Sequence, residues 1–434
     1  MLETLKNAFR IKDIRKKLFY TFCMMVVIRM GSQLPIPGVN RNYFSQWFAQ
    51  QSNDAFNFFS AFTGGSFEKM SIFALSITPY ITSSIIIQLL TIAIPALEEM
   101  HKDGEDGRKK IASITRYVTV ALALIESIAM TVGFGRSGLI PDLNFLKGFM
   151  VVTALTAGST LLMWIGERIT QNGVGNGISI VLMINILSSI PSDITGLFEM
   201  FVKGKTLAHG ALAALIIIAV ILVTIVLVIV LNDATRKIPV QYAKRIIGNK
   251  QYGGVRQYIP LKINAAGVMP IIFAQALMLF PIILSSFDAT RGLAAALSNY
   301  TGFWYNFIFG LLVVAFTYFY TAVTVNPTMM AEEMKKNGGF IPGVKPGKKT
   351  VEYLDTIMSR ITLPGSIFLA LVAIMPAFAM KLGVNNQFAH FYGGTSLLIL
   401  VGVVLDTLQQ IESYLLMRHY DGLMKTGRLK GRSM

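Results

Sequence analysis

Long apolar runs separated by short polar segments are the dominant pattern along the 434-residue chain. A bilayer core about 30 Å thick needs roughly 20 mostly apolar residues for each spanning helix. Ten runs approach or reach that length, and residues 211–231 carry no charge at all. The runs lie at 18–36, 71–95, 116–134, 149–166, 177–198, 211–231, 265–286, 304–325, 361–381 and 394–416. The pattern predicts an all-α polytopic membrane protein with ten transmembrane helices.

The composition agrees with this prediction and excludes several classes of chemistry. The chain is 53% hydrophobic and only 14% charged, whereas soluble domains carry about a quarter charged residues. Its single cysteine, Cys23, rules out an internal disulfide, and its four histidines are scattered singly. The sequence contains no HExxH pair and no catalytic constellation. We therefore expect a protein that is not an enzyme and that uses neither a metal nor another cofactor.

The basic residues are distributed unevenly between the two sides of the predicted membrane. With ten spans, 30 of the 39 Lys and Arg residues fall on the side that holds both termini. Eight fall on the opposite side, and Arg29 lies within the first span. Because short cytoplasmic loops are enriched in Lys and Arg, both termini are predicted to be cytoplasmic.

Two basic loops, at 232–264 and 326–360, are too long to be simple turns. Attraction to anionic lipid explains a basic cluster beside a helix end, at about 1 kcal/mol per residue. That interpretation stays open, but it accounts poorly for two arms of this length on one side. We prefer a docking surface for a large acidic partner, such as RNA or an acidic protein face.

Two further features allow alternative interpretations. The apolar segment 55–69 is too short to span and is broken by a Gly-Gly pair, so it is either an external interfacial helix or a half-helix folded back between the spans. Glu126 and Asp406 lie within predicted spans, where ionisable residues are functional candidates. They leave an ion-coupled secondary transporter as an alternative function; the sequence motifs of an intramembrane protease are absent.

The spans carry short motifs that together resemble the SecY family, the central subunit of the bacterial protein-translocation channel. The resemblance covers essentially the whole chain, and seven matching stretches occur in order among the ten spans. They are RMGSQLPIPG at 29–38, FALSITPY at 73–80, GEDGRKK at 104–110, GERIT at 166–170 with GNGIS at 175–179, YAKR at 242–245, Asn326-Pro327, and GGTSLLI at 393–399.

The resemblance implies an hourglass pore within one chain, formed by two pseudo-symmetric inverted halves, spans 1–5 and 6–10. Residues 18–200 would form the first half and 201–416 the second, between an N-terminal arm at 1–17 and a basic tail at 417–434. The family's constriction is a ring of branched apolar residues that dewets and blocks ions. In this chain the ring falls on Ile77, Ile81, Leu182, Ile272 and Ile399, with Ile178 as a sixth member.

The resemblance also assigns moving parts. Residues 55–69 resemble the plug of the idle channel, and spans 2 and 3 would meet spans 7 and 8 at a lateral gate. The plug residues singled out are Phe58, Phe59, Phe62, Gly64 and Gly65. The polar residues expected near the gate are Gln88, Glu126 and Gln275.

Partners follow from the same resemblance. The implied setting is the bacterial plasma membrane, with preproteins as substrates and with SecE and SecG as small membrane subunits. The two long loops would dock the motor ATPase SecA and the ribosome. The docking residues expected are Lys244, Arg245, Lys250, Arg256, Lys345, Lys348 and Lys349. Lys345 stands where the family usually has arginine, so it keeps the charge but loses the planar fork that pairs bidentately.

Overall fold

The computed structural model describes residues 9, 11–50, 63–136, 138–140, 144–201, 207–242, 245–247, 250–252, 256–278, 302–381 and 395–426. These residues belong to two compact units. The first unit contains Met1–Ile194 together with Val403–Met434, and the second contains Thr195–Gly402. The last helix of the chain is thus divided between the two units.

Helices account for most of the described residues. Along the chain they are α1 (Lys12–Gly31), α2 (Arg41–Gln50), α3 (Thr78–Ala93), α4 (Pro95–Lys102), α5 (Gly104–Arg136), α6 (Phe145–Asn172), α7 (Gly177–Phe201), α8 (Leu207–Asp233), α9 (Met269–Met278), α10 (Phe303–Thr324), α11 (Pro327–Lys336), α12 (Lys348–Lys381) and α13 (Thr395–Thr426). Every one of the ten predicted spans overlaps one of these helices, which confirms the helical membrane architecture.

Several helices meet the length and polarity requirements of a membrane span. Among the described residues, five stretches do so singly: Gly104–Gly135, Phe145–Asn172, Phe303–Lys336, Lys348–Met375 and Ser396–Met417. Thr78–Thr91 and Pro95–His101 form a sixth, broken candidate with a bend of 104°. The chain is therefore a multi-pass membrane protein.

The predicted span at 71–95 needs a correction, because its helix begins only at Thr78. Residues 63–77 form a succession of turns in which Met70 and Ser76 have positive φ angles of 42° and 52°. Positive φ interrupts a right-handed helix at an L-residue. Pro79 then lies in the first turn of α3, where the missing N–H leaves no intrahelical bond unmade. Hydrophobicity alone did not reveal this late start.

The sequence suggested that the two long basic loops form separate arms, but strands from both loops pair in one sheet. Strands β1 (Thr235–Tyr242) and β4 (Arg256–Lys262) of the first loop pair antiparallel, and β5 (Gly339–Phe340) of the second loop pairs with β1. Between them, β2 (Arg245–Ile247) and β3 (Lys250–Tyr252) form a small hairpin.

Strands β1, β4 and β5 pack with α11 and the start of α12 into one body, which we call the sheet module. Its core is apolar. The buried core residues are Ile238, Val240, Leu261, Ala331, Met334, Ile341, Leu354 and Met358. Asn326 caps α11 by accepting hydrogen bonds from the backbone N–H groups of Thr328 and Met329. Both predicted docking loops are thus parts of a single folded unit.

Candidate functional site

The start of α3 carries the first two residues of the predicted pore ring. Ile77 immediately precedes the helix and is 1% exposed, whereas Ile81 is half-buried. The N–H of Ile81 donates to the carbonyl of Ile77 at 3.1 Å. The two side chains therefore lie one helical turn apart, as their spacing predicted.

Helix α7 supplies the next two predicted ring residues from the same unit. Leu182 is buried, and Ile178 lies half-buried one turn before it. One turn beyond Leu182, the Asn185 Nδ2 group donates to the Ser76 hydroxyl at 3.1 Å, with both side chains buried. This hydrogen bond ties α7 to the residue next to Ile77. Sequence reasoning missed it, although a buried Asn in an apolar run is the signal that points to such a partner.

The glycine pair of the predicted plug lies in the turns that lead to α3. Gly64 and Gly65 have φ angles of 62° and 75°, a region that glycine enters without steric cost. A Cβ on Gly64 would lie 2.7 Å from the Ser188 hydroxyl oxygen and 2.8 Å from the Asn185 carbonyl oxygen. Gly64 thus allows close packing, whereas a Cβ on Gly65 would have nothing within 4 Å. Phe58, Phe59 and Phe62 lie outside the described residues.

The remaining two ring positions belong to the second unit. Ile272 is half-buried in α9, between the buried residues Ile271 and Phe273. The Phe273 ring lies 5.5 Å from that of Phe316 in α10. Ile399 is buried in α13. All six predicted positions are apolar and at least half-buried within their own units, while their closure into one ring stays a prediction.

The predicted gate residues lie on α3 and α5 of the first unit and on α9 of the second unit. Gln88 in α3 and Glu126 in α5 are half-buried, as is Gln275 in α9. Between α3 and α5, the buried hydroxyls of Ser83 and Thr119 hydrogen-bond to each other. These Ser and Thr residues were not predicted as gate residues, although small polar residues within apolar runs commonly join membrane helices.

A glycine-containing turn between α6 and α7 holds three segments of the first unit together. Gly175 has a φ of 86°, and its N–H donates to Gln410 Oε1 of α13 at 3.1 Å. The N–H of Val174 donates to the Thr21 hydroxyl of α1 at 3.1 Å. The motif GNGIS is therefore a tight structural turn that connects the first helix to the last.

Asp406 lines a polar cavity of about 400 Å³ beside this turn. The other lining residues are Asn176, Ser179, Val403, Thr407, Gln409, Gln410 and Ser413. Within the part of the chain that the structure describes, no three His, Cys, Asp or Glu side chains are grouped so as to hold a metal ion.

The sheet module presents three of the docking candidates to solvent. Lys345, Lys348 and Lys349 are exposed around the start of α12. The Lys345 carbonyl accepts a hydrogen bond from the Thr350 hydroxyl at 3.0 Å, which fixes the backbone there. Arg245 and Lys250 fall in the β2–β3 hairpin and Arg256 begins β4, whereas Lys244 lies outside the described residues. Exposed cations on a folded support suit an acidic partner.

Comparison with known proteins gives one consistent family. The SecY family model matches residues 71–408. The protein translocase subunit SecY of Halalkalibacterium halodurans is 44% identical over 98% of this chain and 100% of that protein. The corresponding subunit of Thermotoga maritima is 39% identical over 100% of both chains.

Solved structures agree at the level of the fold. A structure of a protein conducting channel has a TM-score of 0.59 at 17% identity, and it covers 96% of this chain and 95% of that chain. Sec61 in the canine ribosome–channel complex from the endoplasmic reticulum has a TM-score of 0.56 at 16% identity, with the same coverage. Taken with the sequence matches, these findings mean that the chain belongs to the SecY family of protein-conducting translocase subunits.

Proposed function

We propose that this chain forms the pore through which unfolded secretory polypeptides cross the bacterial plasma membrane. The observation that carries the proposal is the apolar packing at the start of α3 and in α7, where Ile77 and Leu182 are buried. A narrow apolar collar excludes ions by dewetting, and flexible side chains seal around polypeptides of any sequence. The proposed collar consists of Ile77, Ile81, Ile178, Leu182, Ile272 and Ile399.

Two movable parts complete the proposal. The segment 55–69 acts as a plug, supported by the close packing that Gly64 permits against Ser188. Spans 2 and 3 open against spans 7 and 8 to release transmembrane segments sideways into lipid. Gln88, Glu126 and Gln275 tune that opening, because a hydrogen bond between membrane helices contributes roughly 0.6–2 kcal/mol.

The driving force comes from partners, and the chain itself catalyses no reaction. SecA or a translating ribosome docks on the sheet module through exposed cations such as Lys348 and Lys349. One structural neighbour is itself part of a ribosome–channel complex. SecE and SecG are the expected small membrane subunits, and both termini face the cytoplasm with the basic loops. We propose residue 200 as the boundary between the two halves.

Reconstitution tests the proposal directly. The purified channel complex is placed in proteoliposomes, and protease-protected preprotein is measured after addition of SecA and ATP. We expect ATP-dependent protection that is lost with a non-hydrolysable nucleotide or with liposomes lacking the complex. A folded complex that binds SecA but protects no preprotein would contradict the proposal.

The ion-coupled secondary transporter is wrong as an alternative, because the chain belongs to the SecY family along almost its whole length. Glu126 and Asp406 therefore do not mark a coupling-ion pathway. In the structure, the residue after Glu126 supplies an interhelical contact, since the Ser127 and Thr156 hydroxyls hydrogen-bond at 2.8 Å.

A further inference from the structure

Two basic side chains, Arg41 and Lys69, meet where α1 ends. A third, Arg29, lies near Lys69 and donates from Nη1 to the Gly64 carbonyl at 3.5 Å. Arg41 Nη2 and Lys69 Nζ both donate to Oε1 of Gln33, at 3.4 Å and 3.3 Å. Arg29 lines the same surface groove as Gln33. Burial lowers the pKa of Lys69, and repulsion from Arg41 and Arg29 lowers it further, against an opposing attraction from Glu68. One neutral amide oxygen shared by two cations does not compensate their charge.

This convergence is unexpected on a side with few basic residues. Arg41 and Lys69 are two of only eight Lys and Arg residues assigned to the side opposite the termini, and Arg29 lies in the interior of the first predicted span. Like charges that lie close together repel one another, so gathering three cations costs free energy unless an anion offsets the repulsion. The cluster therefore has the character of an anion-binding site.

An apolar groove of about 440 Å³ runs from this cluster along α1. It is lined by Phe22, Met25, Val26, Arg29, Met30, Gln33 and Ile184. Phe22 and Met30 are 61% and 67% exposed and stand eight positions apart, about 12 Å along the helix axis. That length approaches the roughly 15 Å hydrocarbon depth of one leaflet. The groove thus has the reach of an acyl chain and ends at a cluster of cations.

We propose that this groove binds one anionic phospholipid. Its phosphate lies among Arg29, Arg41 and Lys69, and one acyl chain lies along Phe22, Val26 and Met30. Guanidinium groups bind phosphate oxygens bidentately, which makes arginine suited to a headgroup at the bilayer boundary. An apolar helix of another subunit would cover the same stripe but would bring no anion to the three cations, beside which Glu68 supplies a single carboxylate. With both termini cytoplasmic, the site faces the outer leaflet.

Native mass spectrometry of the purified channel complex, titrated with dioleoyl phosphatidylglycerol or dioleoyl phosphatidylcholine, tests the site. We expect selective retention of phosphatidylglycerol by the wild-type complex. The double variant R41Q/K69Q should bind it about 25-fold more weakly, at roughly 5-fold for each removed charge. Replacement of Glu68 by Gln should strengthen binding, because it removes the opposing carboxylate. The charge-preserving variant R41K/K69R should retain selectivity.

The matched control is K147Q/K381Q, which removes two cations that are assigned to the same predicted side and are not among the residues that line the groove. Equal losses in both double variants would overturn the proposal, because they would indicate general surface attraction. Equal competition by glycerophosphoglycerol, which has the headgroup but no chains, would reduce the site to a plain anion site. Crosslinking of a partner helix to Met30 without any retained lipid would also overturn it. If R41Q/K69Q does not fold, the single variant K69Q decides with the same readout.

Discussion

At the start of α3, side chains are buried, and one of them forms a specific hydrogen bond with α7. The sheet module, by contrast, exposes most of its charged side chains around an apolar core of its own. Ile77 is 1% exposed, and its neighbour Ser76 is held by Asn185 of α7. Lys348 and Lys349, by contrast, extend into solvent from the first turn of α12.

Because of this difference, we expect the two regions to respond differently to substitution. In a close-packed region, one misplaced polar group costs several kcal/mol, because no water compensates it. On an exposed basic surface, the contribution of each charge is small and screened by salt. At the proposed collar, the effect of a substitution should therefore depend mainly on which residue is changed. On the sheet module, it should depend mainly on the total charge that remains.

The largest effect is expected from Ile77→Asn. It removes a fully buried side chain and buries an amide, which should destabilise the packing at α3 by about 3–5 kcal/mol. Ion leak through the closed channel should rise on the order of 10-fold as the apolar collar wets. Conductance of the purified complex in planar bilayers measures the leak. Ile77→Val is the control, and an equal leak in both variants would remove Ile77 from the collar.

The next effect concerns the core of the sheet module. Leu354 is 1% exposed there, so Leu354→Ala should destabilise the module by about 2–4 kcal/mol. Hydrogen exchange in β1 and β4 should accelerate, while closed-channel conductance stays at the wild-type level. Exposed Lys348→Ala serves as the control. Unchanged exchange in Leu354→Ala would show that the module is not held by this core.

A smaller effect is expected from the hydrogen bond between α7 and the start of α3. Asn185→Ala and Ser76→Ala each remove one partner, and their coupling energy should be about 1 kcal/mol. Thermal unfolding of the two single variants and the double variant yields this coupling. Strict additivity would mean that the bond does not join the two segments energetically.

The smallest effects belong to the exposed cations. Lys348→Gln and Lys349→Gln should each weaken SecA or ribosome binding by no more than about 5-fold, with the loss fading at high salt. Binding assays at two ionic strengths provide the measurement. Glu352→Gln, on the same helix, should shift affinity in the opposite direction. A salt-independent loss would point to a specific contact rather than to summed charge.

Much of this molecule followed from local sequence features. Ten apolar runs predicted where helices lie, and all ten overlap helices, because twenty apolar residues have a single low-energy arrangement in a bilayer. The family likewise followed from short contiguous motifs such as 73–80. The spacing of Ile77 and Ile81 placed them one turn apart, since helical periodicity is a local property.

Non-local pairing was decided by the tertiary structure alone. The late start of α3 was not visible in the hydrophobic pattern. The Asn185–Ser76 hydrogen bond joins residues that no local pattern connects. The same holds for the contacts of Arg41 and Lys69 with Gln33. β5 joins β1 across about a hundred residues, which fused two loops into one module. Hydrophobicity and charge are summed along the chain, so they determine which segments enter the membrane. Which residues contact one another depends on packing and hydrogen-bond geometry, and these exist only after the chain has folded.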